Sequence, residues 1–117
     1  MIIYGIKNCD TMQKAFKWLD EHQISYTFHD YKPRGITEEK IREWLKHFAI
    51  TDLINTKGTT FKKLSDEKKL SLRDKSKAIQ LMIQNPSMIK RPLVEMKNGL
   101  LLGFKLEEWE KKLLSRS

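Results

Sequence analysis

The chain has 117 residues, a formal net charge of +8, and 39% hydrophobic and 32% charged residues. This size and balance are typical of one globular domain, and because no apolar run approaches the ~20 residues of a membrane helix, we predict no membrane association. The basic residues are spread along the chain without a zinc-finger or leucine-zipper pattern, so we expect no direct binding to nucleic acid. They form either ordinary solvated faces or a surface that attracts an acidic partner.

The first thirty residues predict a strand, a helix and a second strand. Residues 2–4 are a short apolar run, and Asp10 or Thr11 then begins a helix in which apolar side chains recur every three to four residues as far as Leu19. Residues 25–29 are rich in strand-forming side chains. A crossover of this kind is right-handed and sets its two strands parallel.

The middle of the chain predicts a series of short helices. Thr37 is a suitable N-cap, and the two glutamates after it suit the positive end of a helix dipole. Short, irregular helices are expected between residues 50 and 70, with a loop over residues 56–60. A clearer helix over residues 74–84 ends at Asn85, because the residue before a proline avoids the helical conformation.

The last third predicts a β-hairpin and a closing helix. Residues 93–96 and 100–102 are apolar and flank Asn98 and Gly99, and Asn-Gly between two apolar runs is a strong hairpin signal. Residues 106–114 then show a helical pattern.

The order of these elements is βαβ, a helical stretch, and ββα. Two parallel strands, a hairpin and flanking helices predict an α/β, thioredoxin-like fold with a four-stranded mixed sheet. Within one domain of residues 1–117, we assign residues 1–31 and 88–117 to the core and about 37–86 to an inserted helical subdomain.

The chain contains a single cysteine, Cys9, and three scattered histidines. One cysteine cannot form an intrachain disulfide, which favours the reducing environment of the cytoplasm. The cysteine and histidines lack the spacing of a zinc site, so we predict that no metal is bound.

Cys9 lies where the first strand ends and the first helix begins. The first N–H groups of a helix have no intrahelical partners and carry the positive end of its dipole, so they lower the pKa of a thiol placed there. Nearby Lys7 adds positive charge, whereas Asp10 opposes it. A nucleophile and a small buried apolar residue are both compatible with this position. Met12 stands where a dithiol enzyme has its second cysteine, so a redox cycle through Cys9 needs an external thiol.

Arg91 and Pro92 immediately precede the predicted third strand, where a proline is tolerated. If the sheet forms as predicted, this strand lies beside the first, and its leading end faces Cys9. An arginine there can hold an oxyanion or a carboxylate through its planar, permanently charged group. An ordinary surface arginine is the alternative.

Three segments, YGIKNCDTMQKA, RPLV and NGLLLGF, resemble the ArsC/Spx family, and most closely its YffB-like branch. The resemblance covers nearly the whole chain, including the helical insertion. It implies a thioredoxin-like fold, a cis proline at Pro92 and a nucleophilic cysteine at Cys9. Around that nucleophile, Asn8, Asp10 and Thr11 would supply loop contacts and N–H donors.

The resemblance implies one of two kinds of protein: a glutathione- or glutaredoxin-linked arsenate reductase, or an Spx-type regulator that binds the RNA polymerase α subunit. Arsenate reductases of this family place three arginines around the cysteine. Here Arg91 matches the second, whereas the first falls near Asn55, with Lys57 close by, and the third falls at or beside Phe104, with Lys105 next to it. Retention of one arginine favours thiol–disulfide exchange over arsenate reduction.

These observations predict a cytoplasmic monothiol oxidoreductase with Cys9 as its thiolate nucleophile. Arg91 and Lys57 would bind the anionic part of the substrate. No bound cofactor is expected; glutathione or another low-molecular-weight thiol would be the co-substrate, and a glutaredoxin-type protein would recycle the enzyme. The alternative is an Spx-like transcriptional regulator without enzymatic activity.

Overall fold

The structure is a computed structural model that describes residues 1–114. Its strands are β1 (Ile2–Gly5), β2 (Thr27–Asp30), β3 (Leu93–Met96) and β4 (Gly99–Leu102). Its α-helices are α1 (Asp10–Glu21), α2 (Tyr31–Arg34), α3 (Glu38–Trp44), α4 (Ile50–Leu53), α5 (Thr59–Lys62), α6 (Asp66–Ser71), α7 (Lys75–Gln84) and α8 (Leu106–Trp109). A 3-10 helix spans Pro86–Met88, and a π-helical turn over Glu110–Leu114 continues α8.

The chain folds as two compact units. Within the described residues, the sheet unit comprises Met1–Asp30 and residues 91–114, and it carries the four strands. The helical unit comprises Tyr31–Lys90 and carries α2 to α7. No helix of the described chain combines the length and the apolar composition that are needed to cross a bilayer.

The limits of the helical unit differ slightly from those predicted. The sequence assigns residues 31 and 88–90 to the sheet-bearing core. Tyr31 instead opens α2, a single turn that the sequence pattern does not predict. At the other end, Ile89 forms an isolated antiparallel bridge with Ile54, so backbone pairing ties this segment to the helical unit.

The sheet unit contains a four-stranded mixed sheet in the order β2-β1-β3-β4. β1 is parallel to β2, with Ile3 opposite Phe28, and antiparallel to β3, with Ile3 opposite Val94. β3 and β4 form a hairpin in which Met96 pairs with Gly99, so Gly99 is the first residue of β4. The α/β class, the parallel first pair and the Asn-Gly hairpin predicted from the sequence are confirmed.

One hydrophobic core holds α1 and α8 against the sheet. Its buried side chains are Ile3, Met12, Ala15, Trp18, Leu19, Val94, Leu101 and Trp109. Trp109 packs edge-on against Trp18, with the ring centroids 5.7 Å apart, and its indole N–H donates to the carbonyl of Gly103 at 3.0 Å. Because α1 is packed along its apolar face, the position at which it begins is fixed relative to the end of β1.

The helices of the helical unit are short, and several have side-chain caps. The hydroxyl of Thr37 accepts the N–H of Lys40 at 3.2 Å at the start of α3, which confirms the predicted cap. α7 ends at Gln84, before the Asn85–Pro86 pair, as the proline predicts.

The predicted loop over residues 56–60 is shorter in the structure, because α5 already begins at Thr59. The N–H of Lys62 donates to the carbonyl of Gly58 at 3.1 Å, and the N–H of Lys63 donates to that of Thr59 at 3.0 Å. These two bonds close a helical turn that has no long apolar period to reveal it in the sequence.

Candidate active site

The pairing of β1 with β3 brings two distant segments of the chain together. Tyr4 of β1 pairs with Leu93 of β3 in antiparallel orientation. The chain therefore leaves β1 toward Cys9 at the same end of the sheet at which Arg91 and Pro92 enter β3. The side chain of Arg91 reaches the Cys9 thiol and forms a hydrogen bond with it.

Cys9 is the N-cap residue of α1 and has extended backbone angles, with φ −149° and ψ 128°. Partial burial raises the pKa of its thiol, but the N–H of Met12, the hydrogen bond and charge of Arg91, and the N–H of Thr11 together outweigh burial. The pKa of Cys9 therefore lies below the ordinary cysteine value. Because the thiolate is the nucleophilic form, this environment makes Cys9 more reactive near neutral pH than a solvated cysteine.

The two helix N–H groups act on Cys9 mainly through electrostatics. Within the described residues, the Cys9 side chain does not accept a hydrogen bond that caps α1. The N–H groups of Thr11 and Met12 nevertheless belong to the first turn of α1, where helix N–H groups lack intrahelical partners. Their combined partial positive charge stabilises a negatively charged sulfur even without a capping hydrogen bond.

The loop that carries Cys9 is held by a glutamine that the sequence analysis did not single out. The side-chain amide of Gln13 donates to the carbonyl of Lys7 at 2.8 Å, and the N–H of Cys9 donates to the same carbonyl at 3.2 Å. The N–H of Gln13 also donates to the carbonyl of Cys9 at 3.0 Å. A long amide side chain in the first turn, which can reach back to the loop before the helix, was the available signal.

Replacement of Gln13 by methionine, which has a similar length but no donor, should lower the reactivity of Cys9. The loop would lose one anchor, and the sulfur would spend less time near the helix N–H groups. A neutral hydrogen bond contributes about 1 kcal/mol, so we expect roughly fivefold slower alkylation by iodoacetamide at pH 7. The pH midpoint of alkylation should move upward.

Gln84→Met is the matched control, because Gln84 is also an exposed helical glutamine but lies in the helical unit. It should leave the alkylation profile of Cys9 unchanged. Equal profiles for the wild type and Gln13→Met would show that the Gln13 contact does not position the thiol.

Met12 fills the place where a C-x-x-C enzyme has its resolving thiol. Its side chain is fully buried, and a Cβ added to Gly5 would lie 2.5 Å from the Met12 sulfur and 2.6 Å from its terminal methyl. Met12 therefore packs directly on the backbone of β1 as part of the core. Since Cys9 is the chain's only cysteine, an intrachain thiol cannot resolve a disulfide formed on it.

The peptide bond between Arg91 and Pro92 is cis, as the resemblance implies. Pro92 is buried, and its carbonyl accepts the N–H of Gly103 at 2.8 Å. This bond ties the segment before β3 to the segment after β4. The backbone next to Arg91 is thus anchored by a hydrogen bond between two buried residues.

The titration of Cys9 should make the stability of the protein depend on pH. Because the pKa of Cys9 is lowered in the folded state, its contribution to stability is fully present above the ordinary cysteine pKa and is lost as the pH falls through the folded-state pKa. Urea unfolding of the wild type and of Cys9→Ser, in the presence of reductant, measures this contribution. The difference in free energy of unfolding should increase in favour of the wild type as pH rises; parallel pH curves would contradict the lowered pKa.

Residues 4–112 match the model of the ArsC family. The chain belongs to the ArsC family. Among solved structures, the YffB protein is 48% identical with a TM-score of 0.90, over 96% of this chain and 97% of that protein. An arsenate reductase (ArsC) related protein from Brucella melitensis is 46% identical with a TM-score of 0.75, over 95% of this chain and 92% of that protein.

A second group of relatives consists of transcriptional regulators. The global transcriptional regulator Spx 2 of Bacillus anthracis is 32% identical over 120 aligned residues, which cover 100% of this chain and 88% of that protein. The ArsC-family resemblance and the thioredoxin-like fold predicted from the sequence are confirmed. The ArsC-family relatives thus include proteins related to arsenate reductase as well as Spx regulators.

The position at which the resemblance leads us to expect a third arginine is occupied by an aromatic residue with a structural role. Phe104 is half-buried, and its ring meets that of Trp109 edge-on at 4.8 Å and that of Trp18 at 6.4 Å. In this ArsC-family chain, position 104 is therefore part of an aromatic cluster, and an arginine there would lose the ring contacts with Trp18 and Trp109.

The other predicted site residues are exposed. Asn8 precedes the cysteine, and Asp10 and Thr11 open α1; of these three, Thr11 contributes an N–H that acts on Cys9. Lys57 lies in a turn of the helical unit, where its N–H donates to the side-chain oxygen of Asn55 at 3.3 Å. The roles of Asn8, Asp10 and Lys57 toward a substrate stay predictions.

Proposed function

We propose that this ArsC-family protein is a monothiol oxidoreductase in which Cys9 is the nucleophile. The observation that carries the proposal is the hydrogen bond from Arg91 to the thiol of Cys9, which is the N-cap residue of α1, because Arg91 and the first N–H groups of α1 lower the pKa of that thiol. A lowered pKa gives both a larger thiolate fraction at neutral pH and a better leaving group in disulfide exchange. The lone cysteine supports a reducing, cytoplasmic setting.

The reaction consists of two thiol–disulfide exchanges. The Cys9 thiolate attacks one sulfur of a disulfide that contains glutathione, forms a mixed disulfide with glutathione and releases the other sulfur as a thiolate. The thiolate of a second glutathione then attacks the glutathione sulfur of the mixed disulfide, which releases the Cys9 thiolate and gives glutathione disulfide. Cys9 ends as it began. In the net reaction one free glutathione thiolate is consumed, the other half of the substrate disulfide is released as a thiolate, and the disulfide bond ends in glutathione disulfide. A glutaredoxin-type protein is an alternative source of the second thiol.

A disulfide suits the site better than arsenate does. An oxyanion with several negative oxygens needs several fixed cationic donors, and Arg91 is the one arginine of the three expected by resemblance that this chain retains. Phe104 occupies an apolar position in place of the third. One arginine is sufficient for a single carboxylate of glutathione, which it can hold with two parallel hydrogen bonds.

Intact-mass measurement after separate incubation with glutathione disulfide and with arsenate tests the proposal. We expect glutathione disulfide to give an adduct of one glutathione on the wild type, removed by excess glutathione, and we expect no adduct on Cys9→Ser. An arsenic adduct in place of the glutathione adduct would instead identify an arsenate reductase. A protein that stays unmodified in both incubations would disprove the nucleophile.

The second candidate function is that of a regulator which binds the RNA polymerase α subunit. The observation that favours it is the identity to the Spx 2 regulator over the whole length of this chain. A binding function of this kind does not need the Cys9 thiol to react.

Titration of purified polymerase α subunit into the wild type and into Cys9→Ser, followed by calorimetry, separates the two candidates. Saturable binding by both proteins, together with the absence of a glutathione adduct, would favour the regulator. If neither protein binds the polymerase subunit and the glutathione adduct forms, the result favours the oxidoreductase function.

A further inference from the structure

The positive charge of the chain is concentrated in the helical unit. Residues 31–90 contain 14 lysine and arginine residues and seven aspartate and glutamate residues, which gives a net charge of +7. The remainder of the chain contains nine basic and eight acidic residues and is nearly neutral. The candidate nucleophile and its arginine therefore do not account for the charge, which can attract an anionic ligand to the helical unit.

The helical unit contains an open cleft of about 560 Å³. Its walls come from α5, the start of α6, and the segment around the 3-10 helix. The side chains that line it are Thr59, Thr60, Lys63, Leu64, Ser65, Lys68, Asn85 and Ser87. Its volume is within the range of sites that bind small molecules.

The described residues that line the cleft offer positive charge and hydroxyl groups. Lys63 and Lys68 are exposed, and neither forms a salt bridge within residues 1–114, so both ammonium groups keep their charge available. The hydroxyls of Thr60 and Ser87 lie 2.9 Å apart, which fixes their orientation. Ser65 uses its oxygen to accept the N–H of Lys68, so its hydroxyl hydrogen remains a donor.

A phosphoryl group matches these donors better than an acidic peptide does. Its oxygens accept several hydrogen bonds at once, and lysine is a common binder of phosphate. None of the residues that line this described cleft is acidic, and Leu64 is the one apolar side chain among them. A peptide would find little apolar surface in which to anchor, because peptide grooves depend on such pockets.

We propose that this cleft binds a phosphorylated small molecule, with Lys63 and Lys68 holding the phosphoryl group and the hydroxyl side chains around them completing its hydrogen bonds. The site lies wholly in the helical unit and does not depend on the reaction proposed for Cys9. It gives the ArsC-family chain a second ligand besides a thiol.

Titration of ¹⁵N-labelled protein with glucose 6-phosphate, followed by NMR, tests the site. We expect saturable shifts confined to residues 59–68 and 85–87, with a Kd below about 1 mM, and no shifts with glucose. If inorganic phosphate binds as tightly as the sugar phosphate, the phosphoryl group alone is recognised and free phosphate is the ligand. Non-saturating shifts, or shifts spread over the lysines of the whole unit, would overturn the proposal, as would tighter binding of a hexaglutamate peptide.

The double variant Lys63→Gln/Lys68→Gln should weaken glucose 6-phosphate binding by about tenfold, because two charge-assisted hydrogen bonds are lost. The control Lys46→Gln/Lys75→Gln removes the same charge from the same unit but outside the cleft, and it should change Kd by less than about twofold. Equal weakening by both pairs would mean that general attraction, rather than the cleft, binds the anion. Thermal unfolding checks that all variants fold.

Discussion

Replacement of Arg91 by glutamine should slow the reaction of Cys9 with glutathione disulfide at pH 7 by about tenfold or more. The variant removes both the hydrogen bond and the positive charge that lower the pKa of Cys9, while burial, which raises it, remains. Hydrogen bonds to charged groups contribute about 1.5–3 kcal/mol, and we take the lower end because the site is partly exposed to solvent. Stopped-flow measurement of thiolate absorbance and of adduct formation across pH gives both the rate and the titration midpoint.

Two variants make this result specific. Lys97→Gln removes one positive charge from the exposed turn between β3 and β4 and should leave the rate and midpoint unchanged. Arg91→Lys keeps the charge but not the planar group, so it should restore part of the thiolate stabilisation. Calorimetry with unreactive S-methylglutathione should show weaker binding to Arg91→Gln; unchanged affinity would remove the assigned anchoring role while leaving the effect on the thiol intact.

Replacement of Trp109 by alanine should destabilise the protein by about 3–5 kcal/mol, a large fraction of the stability of a domain this size. Trp109 is fully buried, packs against Trp18 and Phe104, and donates its indole N–H to the carbonyl of Gly103. The variant loses the apolar contact, leaves a cavity and removes the donor. Urea unfolding followed by circular dichroism measures the loss without depending on tryptophan fluorescence.

Trp109→Phe separates the two contributions, because it keeps an aromatic ring in the cluster and loses the indole donor. It should cost about 1–3 kcal/mol, mainly from the carbonyl of Gly103 that loses its partner. Leu106→Ala is the control on the same helix, since Leu106 is 49% exposed, and its effect should stay within about 1 kcal/mol. A loss for Trp109→Ala no larger than that of Leu106→Ala would contradict the central position of Trp109 in the core.

Much of the fold could be predicted because its signals are local. The apolar period of α1, the cap at Thr37 and the Asn-Gly pair before β4 each determine structure within a few residues, and all three are confirmed. The single-turn helices α2 and α5 were harder to predict from the sequence. A four-residue helix has no full apolar period, and its formation depends on backbone bonds that the fold allows rather than on a sequence pattern.

The chemistry of the candidate site could be predicted from the sequence, whereas the contacts that hold its residues in place could not. The position of Cys9 at the start of a helix is compatible with a reactive thiol, and the family resemblance favours that interpretation. Met12 indicates that a redox cycle through Cys9 needs an external thiol. The contact of Gln13 with the carbonyl of Lys7, and the close packing of Met12 on Gly5, depend on side-chain conformations that the sequence does not specify. Phe104 likewise departs from the expected arginine for a reason that only its aromatic neighbours reveal.

Periodicity, capping and composition over short spans were enough to predict the order of the strands and the longer helices, the single thiol and its place at the beginning of α1. The contact of Arg91 with Cys9 exists only in the folded chain, since the two residues are 82 positions apart and meet through the register of β1 with β3. Register is set by which faces of the strands are buried together in the core. The balance between burial, which raises the pKa of Cys9, and the groups that lower it likewise depends on distances that exist only in the folded chain.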